Sequence, residues 1–282
     1  MIAGSEPGQS VIRALEHYEN PDADRIYLRV WAGEDIFIGI GLYETAEDTV
    51  YDACRRTVAK LAAMLPQRGS GTRGLELGSG YGAAARYLAK ERGFHIDCLN
   101  LSLVQNKQNR RINQTRGLED RIRVVEGSFE DIPFNAASYE VVWSQDAFIH
   151  SVNRRRVLEE VDRVLQPGGD FVFTDLVQDE DAPPEALEPV LARFHLDSLG
   201  TVRFYREAAK EIGWREWQVI DLSGDLVTHY EGVLQNLERR HEDLLGEFSE
   251  EYLEEVRHGT QHWVSAGKDG NFKWAMFHYQ KP

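Results

Sequence analysis

From Arg73 onward the apolar residues alternate between short unbroken runs and longer stretches in which they recur at helical spacing. The runs predict strands at Gly74–Leu77, His95–Leu101, Ile122–Glu126, Tyr139–Ser144 and Asp170–Asp175. Between them the spacing predicts helices at Ala83–Glu91, Leu103–Thr115 and Arg154–Leu165, and the turn Gln166-Pro167-Gly168-Gly169 feeds the last strand. Such alternation predicts an α/β fold with a parallel sheet covered on both faces. Another helix and strand are expected at Phe204–Ile212 and Glu216–Leu222, and the aromatic segment Phe272–Gln280 reads as a closing strand.

The flanking segments read differently. Residues 1–10 are rich in Gly, Ser and Glu, Val11–Glu19 is helical in pattern, and Arg25–Tyr43 is aromatic and glycine-rich. A helix over Thr45–Leu65 carries an apolar stripe at Val50, Cys54, Val58, Leu61 and Leu65, ended by Pro66 and Gly69-Ser70-Gly71. The charged, helical stretches 178–201 and 223–270 interrupt the sheet elements. They are expected to form a lid over the carboxyl edge of the strands, where open α/β sheets bind ligands. Residues 1–44 then form a flap, and 45–177, 202–222 and 271–282 the core.

Composition narrows the partners. A net charge of −15, from 47 acidic against 32 basic residues, repels phosphate backbones and anionic membranes. Solubility explains this acidity, and so does a cell with a salty interior. Cys54 and Cys98 belong to no CxxC pair, which favours reduced thiols without a metal. No apolar run is long enough to span a bilayer, and the basic-then-apolar pattern of a signal peptide is missing, so a cytoplasmic location is expected.

The chemistry concentrates at the ends of the predicted strands. Glu76-Leu77-Gly78-Ser79-Gly80-Tyr81-Gly82 places three alternate glycines between strand and helix, where the backbone must turn sharply and pass close to a ligand. The spacing is neither the dinucleotide GxGxxG nor a P-loop, and Glu76 suits a ligand with a positive amine, which points to S-adenosylmethionine. Asn100, with Leu101 after it, lies about 20 residues beyond the loop, where a polar side chain meets ribose hydroxyls. Ser128 and Phe129, after the third strand, occupy the position that addresses an adenine edge, to which Asp131 could contribute. Phe134 reads as core. The run Trp143-Ser144-Gln145-Asp146-Ala147-Phe148-Ile149-His150 ends the fourth strand beside the expected reacting centre.

Together with Leu165-Gln166-Pro167-Gly168-Gly169, these motifs resemble class I S-adenosylmethionine-dependent methyltransferases over about Arg73–Asp175. The resemblance implies a seven-stranded, mostly parallel sheet whose last strand is antiparallel. Tyr27-Leu28-Arg29-Val30-Trp31 through Gly39, the Gln-Asp-x-x-x-His run at 145–150 and Asp221-Leu222-Ser223 are similar to the small-amine N-methyltransferases. Within that group the whole length best resembles the sarcosine/dimethylglycine N-methyltransferase family, whose members make glycine betaine. Phosphoethanolamine methyltransferases are related, and their motif carries onto Tyr18, Asp146 and His150 as catalytic residues. The same matching puts Ile38 and Gly39 over the cofactor, with Trp31 and Gln145 beside it.

Methyl transfer is an in-line displacement, so the enzyme mainly positions the amine and keeps its lone pair free. A carboxylate or imidazole within reach can take the amine's proton, and an imidazole titrates near neutral pH. Asp146 and His150 would share a face if their segment were helical. The substrate's carboxylate calls for an arginine; Arg193 is favoured, with Arg203, Arg206 and Arg29 as alternatives and Tyr27 nearby. Trp31 and Trp143 are candidates for an aromatic wall around a quaternary ammonium. Competing readings are methylation of another small molecule (a phosphobase, a sterol or a natural product) and a silent S-adenosylmethionine-binding module. A monomer or homodimer is expected.

Overall fold

The computed structural model describes residues 19, 21–31, 35–45, 47–193 and 198–282. Seven strands form one sheet: β1 (Arg73–Leu77), β2 (His95–Asn100), β3 (Ile122–Glu126), β4 (Tyr139–Gln145), β5 (Leu165–Gln178), β6 (Arg215–Asp221) and β7 (Phe272–Gln280), in the order β3-β2-β1-β4-β5-β7-β6. All neighbours are parallel except those of β7, which runs antiparallel to both β5 and β6. The order reverses between β1 and β4, and that switch opens a crevice at their carboxyl ends. Side chains alternate between two cores. Val141, Trp143, Val172 and Trp274 join one, while Leu75, Val142, Phe171, Phe173 and Phe277 join the other.

Ten helices are resolved among the described residues: α1 (Pro21–Val30), α2 (Val50–Met64), α3 (Ala83–Glu91), α4 (Leu103–Thr115), α5 (Arg154–Val164), α6 (Pro184–Arg193), α7 (Val202–Ile212), α8 (Ser223–Arg239), α9 (His241–Leu245) and α10 (Glu250–Lys268). Polar caps set several starts: Ser102, Asn153 and Thr201 each accept an amide of the first turn. The helix expected from Thr45 begins at Val50. Thr49 caps it, and the Asp48 carboxylate takes the Glu44 and Thr45 amides, so that stretch is held as a turn.

Two further expectations change. Pro21–Val30 is a helix, with Ile26 and Val30 buried one turn apart and Asn236 Nδ2 donating to the Val30 carbonyl. Strand β5 starts at Leu165, because Leu165 still pairs with Tyr139 and the Pro-Gly-Gly stretch is held by Lys281, whose carbonyl accepts from Gly168 N–H. It runs to Gln178 because β7 is long enough to pair that far. The expected helix Val11–Glu19 lies outside the described residues apart from Glu19. No described helix is long and apolar enough to cross a membrane.

Candidate active site

The glycine loop after β1 has the geometry that its composition implies. Gly78, Gly80 and Gly82 all have positive φ, at 67°, 51° and 75°. A Cβ on Gly78 would lie 2.4 Å from that of Ala147, so only glycine lets the loop pass beneath the β4 end. The Gly78 and Ser79 amides donate to the Leu99 carbonyl at 2.8 and 3.2 Å, tying the loop to β2. Ser79 Oγ is buried with no oxygen or nitrogen partner among the described residues, which leaves a hydroxyl for a ligand.

Glu76 is buried and accepts the Ala85 amide at 3.2 Å. Burial pushes its carboxyl up to about 7, against the pull of the Arg86 guanidinium and that amide. A cationic ligand group beside it would favour its ionised form. Arg86 is itself fully buried, ion-paired with Asp35 and donating to the Tyr81 carbonyl.

At the end of β2, Asn100 donates through Nδ2 to Gln105 Oε1 at 3.1 Å, which keeps its own Oδ1 as an acceptor suited to ribose hydroxyls. Beyond β3, Ser128 Oγ accepts the Glu130 amide, and Phe129 packs edge-on against Phe148 with centroids 5.5 Å apart. On β4, the buried Trp143 donates from Nε1 to Gln145 Oε1 at 3.1 Å and orients that amide.

Residues 35–45 form a strap across the crevice. Cys54 donates from Sγ to the Gly39 carbonyl at 3.0 Å, and Thr57 from Oγ1 to the Ile40 carbonyl at 2.8 Å. The Ile40 amide donates to Asp146 Oδ2 at 3.0 Å, and the Gly41 amide to His229 Nδ1 on α8 at 3.2 Å. Asp146 sits at φ 52°, a conformation a non-glycine residue adopts at a cost. Its Oδ1 accepts the Trp274 indole N–H at 2.8 Å. Burial raises its pKa, and hydrogen bonds from the Ile40 amide, the Trp274 indole and the Thr174 side chain oppose the rise.

These pieces line one cavity that opens to solvent. Of the expected cofactor residues, Ile38, Gly39, Glu76, Gly78, Ser79, Gly80, Asn100, Leu101, Ser128, Phe129 and Gln145 line it, joined by Asp146 and His150. Residues not anticipated also line it: Cys54 and Val58 from the apolar stripe of α2, Phe37, Tyr81, Ser102, Gln105 and Ala147. The stripe identified a buried face but could not say that its edge reaches a ligand.

Several expectations need correction. Trp31 does not line the cavity; it packs edge-on to Tyr27 (5.1 Å) and against His229 (6.5 Å), and Tyr27 is likewise outside. Trp143 is core, not cavity wall. Asp131 is exposed. Arg29, Arg203 and Arg206 pair with Glu247, Glu180 and Glu216, away from the cavity lining. Asp146 and His150 share no α-helix: only a single 3-10 turn, Phe148–His150, follows Asp146. They meet at the cavity because the left-handed Asp146 redirects the chain. Tyr18 lies outside the described residues, as does the side chain of Arg193.

Comparison with known proteins places the chain among its relatives. The pattern of a methyltransferase domain matches residues 75–173. The chain is 50% identical over 270 residues to the sarcosine/dimethylglycine N-methyltransferase of Aphanothece halophytica, covering 96% of this chain and 97% of that one. This chain belongs to the sarcosine/dimethylglycine N-methyltransferase family. The Halorhodospira halochloris enzyme of the same name is 41% identical, with 97% of each chain covered. A solved Galdieria sulphuraria structure assigned as a sarcosine dimethylglycine methyltransferase superposes with a TM-score of 0.86 at 37% identity, over 92% of this chain and 98% of that one. Membership in this N-methyltransferase family makes the chain an enzyme with a Rossmann-like class I methyltransferase core.

Proposed function

We propose that the chain methylates sarcosine and dimethylglycine on nitrogen, giving glycine betaine, with S-adenosylmethionine as the donor. The observation that carries this reading is the single cavity in which the glycine loop, Asn100, Gln145, Asp146 and His150 converge under the strap. Its chemistry fits the donor: glycines at positive φ where a Cβ would collide, a buried serine hydroxyl with no oxygen or nitrogen partner among the described residues, and a carboxyl at the loop that a cationic amine would ionise.

Gly78, Ser79 and Gly80 would hold the amino-acid end of the donor beside Glu76. Asn100 and Leu101 would meet the ribose, Ser128 and Phe129 the adenine, and Ile38 and Gly39 would cover it with Gln145 alongside. When bound, the donor supplies a methyl group on a sulfonium. The residues of the chain do the rest. His150 takes the proton of the incoming ammonium so that the nitrogen lone pair is free. Asp146, held rigidly at the cavity, attracts the ammonium and keeps the nitrogen in line. The resemblance adds Tyr18 to the acid–base group and Arg193 to the substrate side. Residues 178–201 and 223–270 serve as the lid that keeps water out.

The test is a panel of glycine, sarcosine, dimethylglycine and phosphoethanolamine with methyl-labelled donor, read by mass spectrometry of the products. Sarcosine and dimethylglycine should gain methyl groups up to the trimethylated product. Turnover on phosphoethanolamine alone would overturn the substrate assignment.

A further inference from the structure

We propose that Trp274 is a positioning residue for this reaction, its indole N–H fixing the Asp146 carboxylate at the amine end of the cavity. The proposal rests on the reading of Asp146 as the group that meets the substrate ammonium. Trp274 lies on β7, 128 residues from Asp146, is fully buried, and donates from Nε1 to Oδ1 at 2.8 Å. The other oxygen accepts the Ile40 amide of the strap at 3.0 Å. Two donors from distant elements thus hold one carboxylate from both sides. Both are neutral N–H groups, so they orient the charge without cancelling it.

The surroundings make the indole nitrogen the informative atom. Trp274 packs in an apolar core with Phe272 and Met276, where a phenylalanine would meet the packing need. Nitrogen adds a single donor, which must find a partner once buried. Here that partner is the one residue of the β4 end with a left-handed backbone. The glycine at position 39 completes the arrangement, since a Cβ there would stand 3.1 Å from Asp146 Oδ2.

Removing the N–H also leaves Asp146 less acidic, because a donor to the ionised form favours ionisation. The titratable groups coupled to Asp146 are Asp175 on β5 and Cys54 on α2, and His150 lines the same cavity. Burial holds the Asp175 carboxyl near about 7 and drives the Cys54 thiol upward, and neither touches the indole nitrogen.

The experiment compares the wild type with Trp274→Phe and with β-(3-benzothienyl)alanine at position 274, which keeps the indole's volume and lacks its N–H. Donor affinity is measured by calorimetry, and kcat/KM for dimethylglycine is followed against pH. We expect donor Kd to stay within about twofold while kcat/KM at neutral pH falls about tenfold, the scale of one hydrogen bond to a charged group. The acid limb of the profile should move to higher pH. In an Asp146→Asn background the same replacement should cost nothing further. Wild-type rates with an unmoved profile in the folded variants would overturn the proposal, as would an equal loss in the Asp146→Asn background. If the wild type ignored both dimethylglycine and sarcosine, the substrate reading would fail on its own, and the same comparison on the amine it does methylate would decide Trp274.

Discussion

At the level of single residues, the glycine loop and His150 make separate demands. Gly78→Ala would place a methyl group against Ala147 and hold a side chain at φ 67°, so the loop must move away from the donor. Donor affinity measured by calorimetry should fall at least about tenfold, the equivalent of about 1.4 kcal/mol. His150→Ala removes the group proposed to take the substrate proton but leaves the loop intact. Its kcat should fall about 100-fold or more, the usual scale of general-base catalysis, with donor Kd unchanged. The loop, Asn100 and His150 were legible in the sequence because each lies at a strand end marked by local pattern. The Trp274–Asp146 bond was not legible, since nothing near either residue records a partner 128 positions away. Trp31 and Trp143 misled for a related reason: an aromatic side chain carries the same local signal whether it faces a ligand or the core.

Among the elements, the strap over the cavity is tied to helix α8. His229 is buried on α8, between Trp31 and Tyr43, and its Nδ1 accepts the Gly41 amide, a role open only to the neutral ring. Burial pushes its pKa down to about 3 from an ordinary 6.5. The unfolded chain therefore binds the proton more readily, so the stability from this group is complete above pH 6.5 and is lost as pH falls from there toward 3. At pH 5 the loss should reach about 2 kcal/mol, given about 1.4 kcal/mol per pH unit. His229→Gln keeps an acceptor without the titration, so thermal unfolding should show a smaller drop between pH 7 and pH 5 than in the wild type. Equal drops would mean that the ring is not the titrating latch. A helix limit was legible where apolar periodicity met a cap at Ser102 and Leu103. Another was misread at Thr45–Thr49, where the side chain of Asp48 ties down the backbone that the apolar stripe would have continued.

On the scale of the whole molecule, the sheet order puts the switch between β1 and β4, beneath the glycine loop and Asp146. The parallel strands were readable, though not their order, because parallel pairing demands buried, unbroken apolar runs. The inserted helices were recognisable as insertions, but their seating was not, because it depends on contacts such as Gly41–His229 that join the strap to a helix far along the chain. The surface arginines were misleading in the same way. Their sequence neighbours gave no sign that Glu247, Glu180 and Glu216 would pair with them.

The central claim is that donor and amine meet in this one cavity. A crystal structure with S-adenosylhomocysteine and dimethylglycine tests it most directly. The account predicts the adenosine between Asn100 and Ser128–Phe129, the sulfur facing the Asp146–His150 turn, and the amine nitrogen within hydrogen-bond reach of one of those two side chains. A nucleoside bound away from the glycine loop, or an amine remote from both Asp146 and His150, would contradict it.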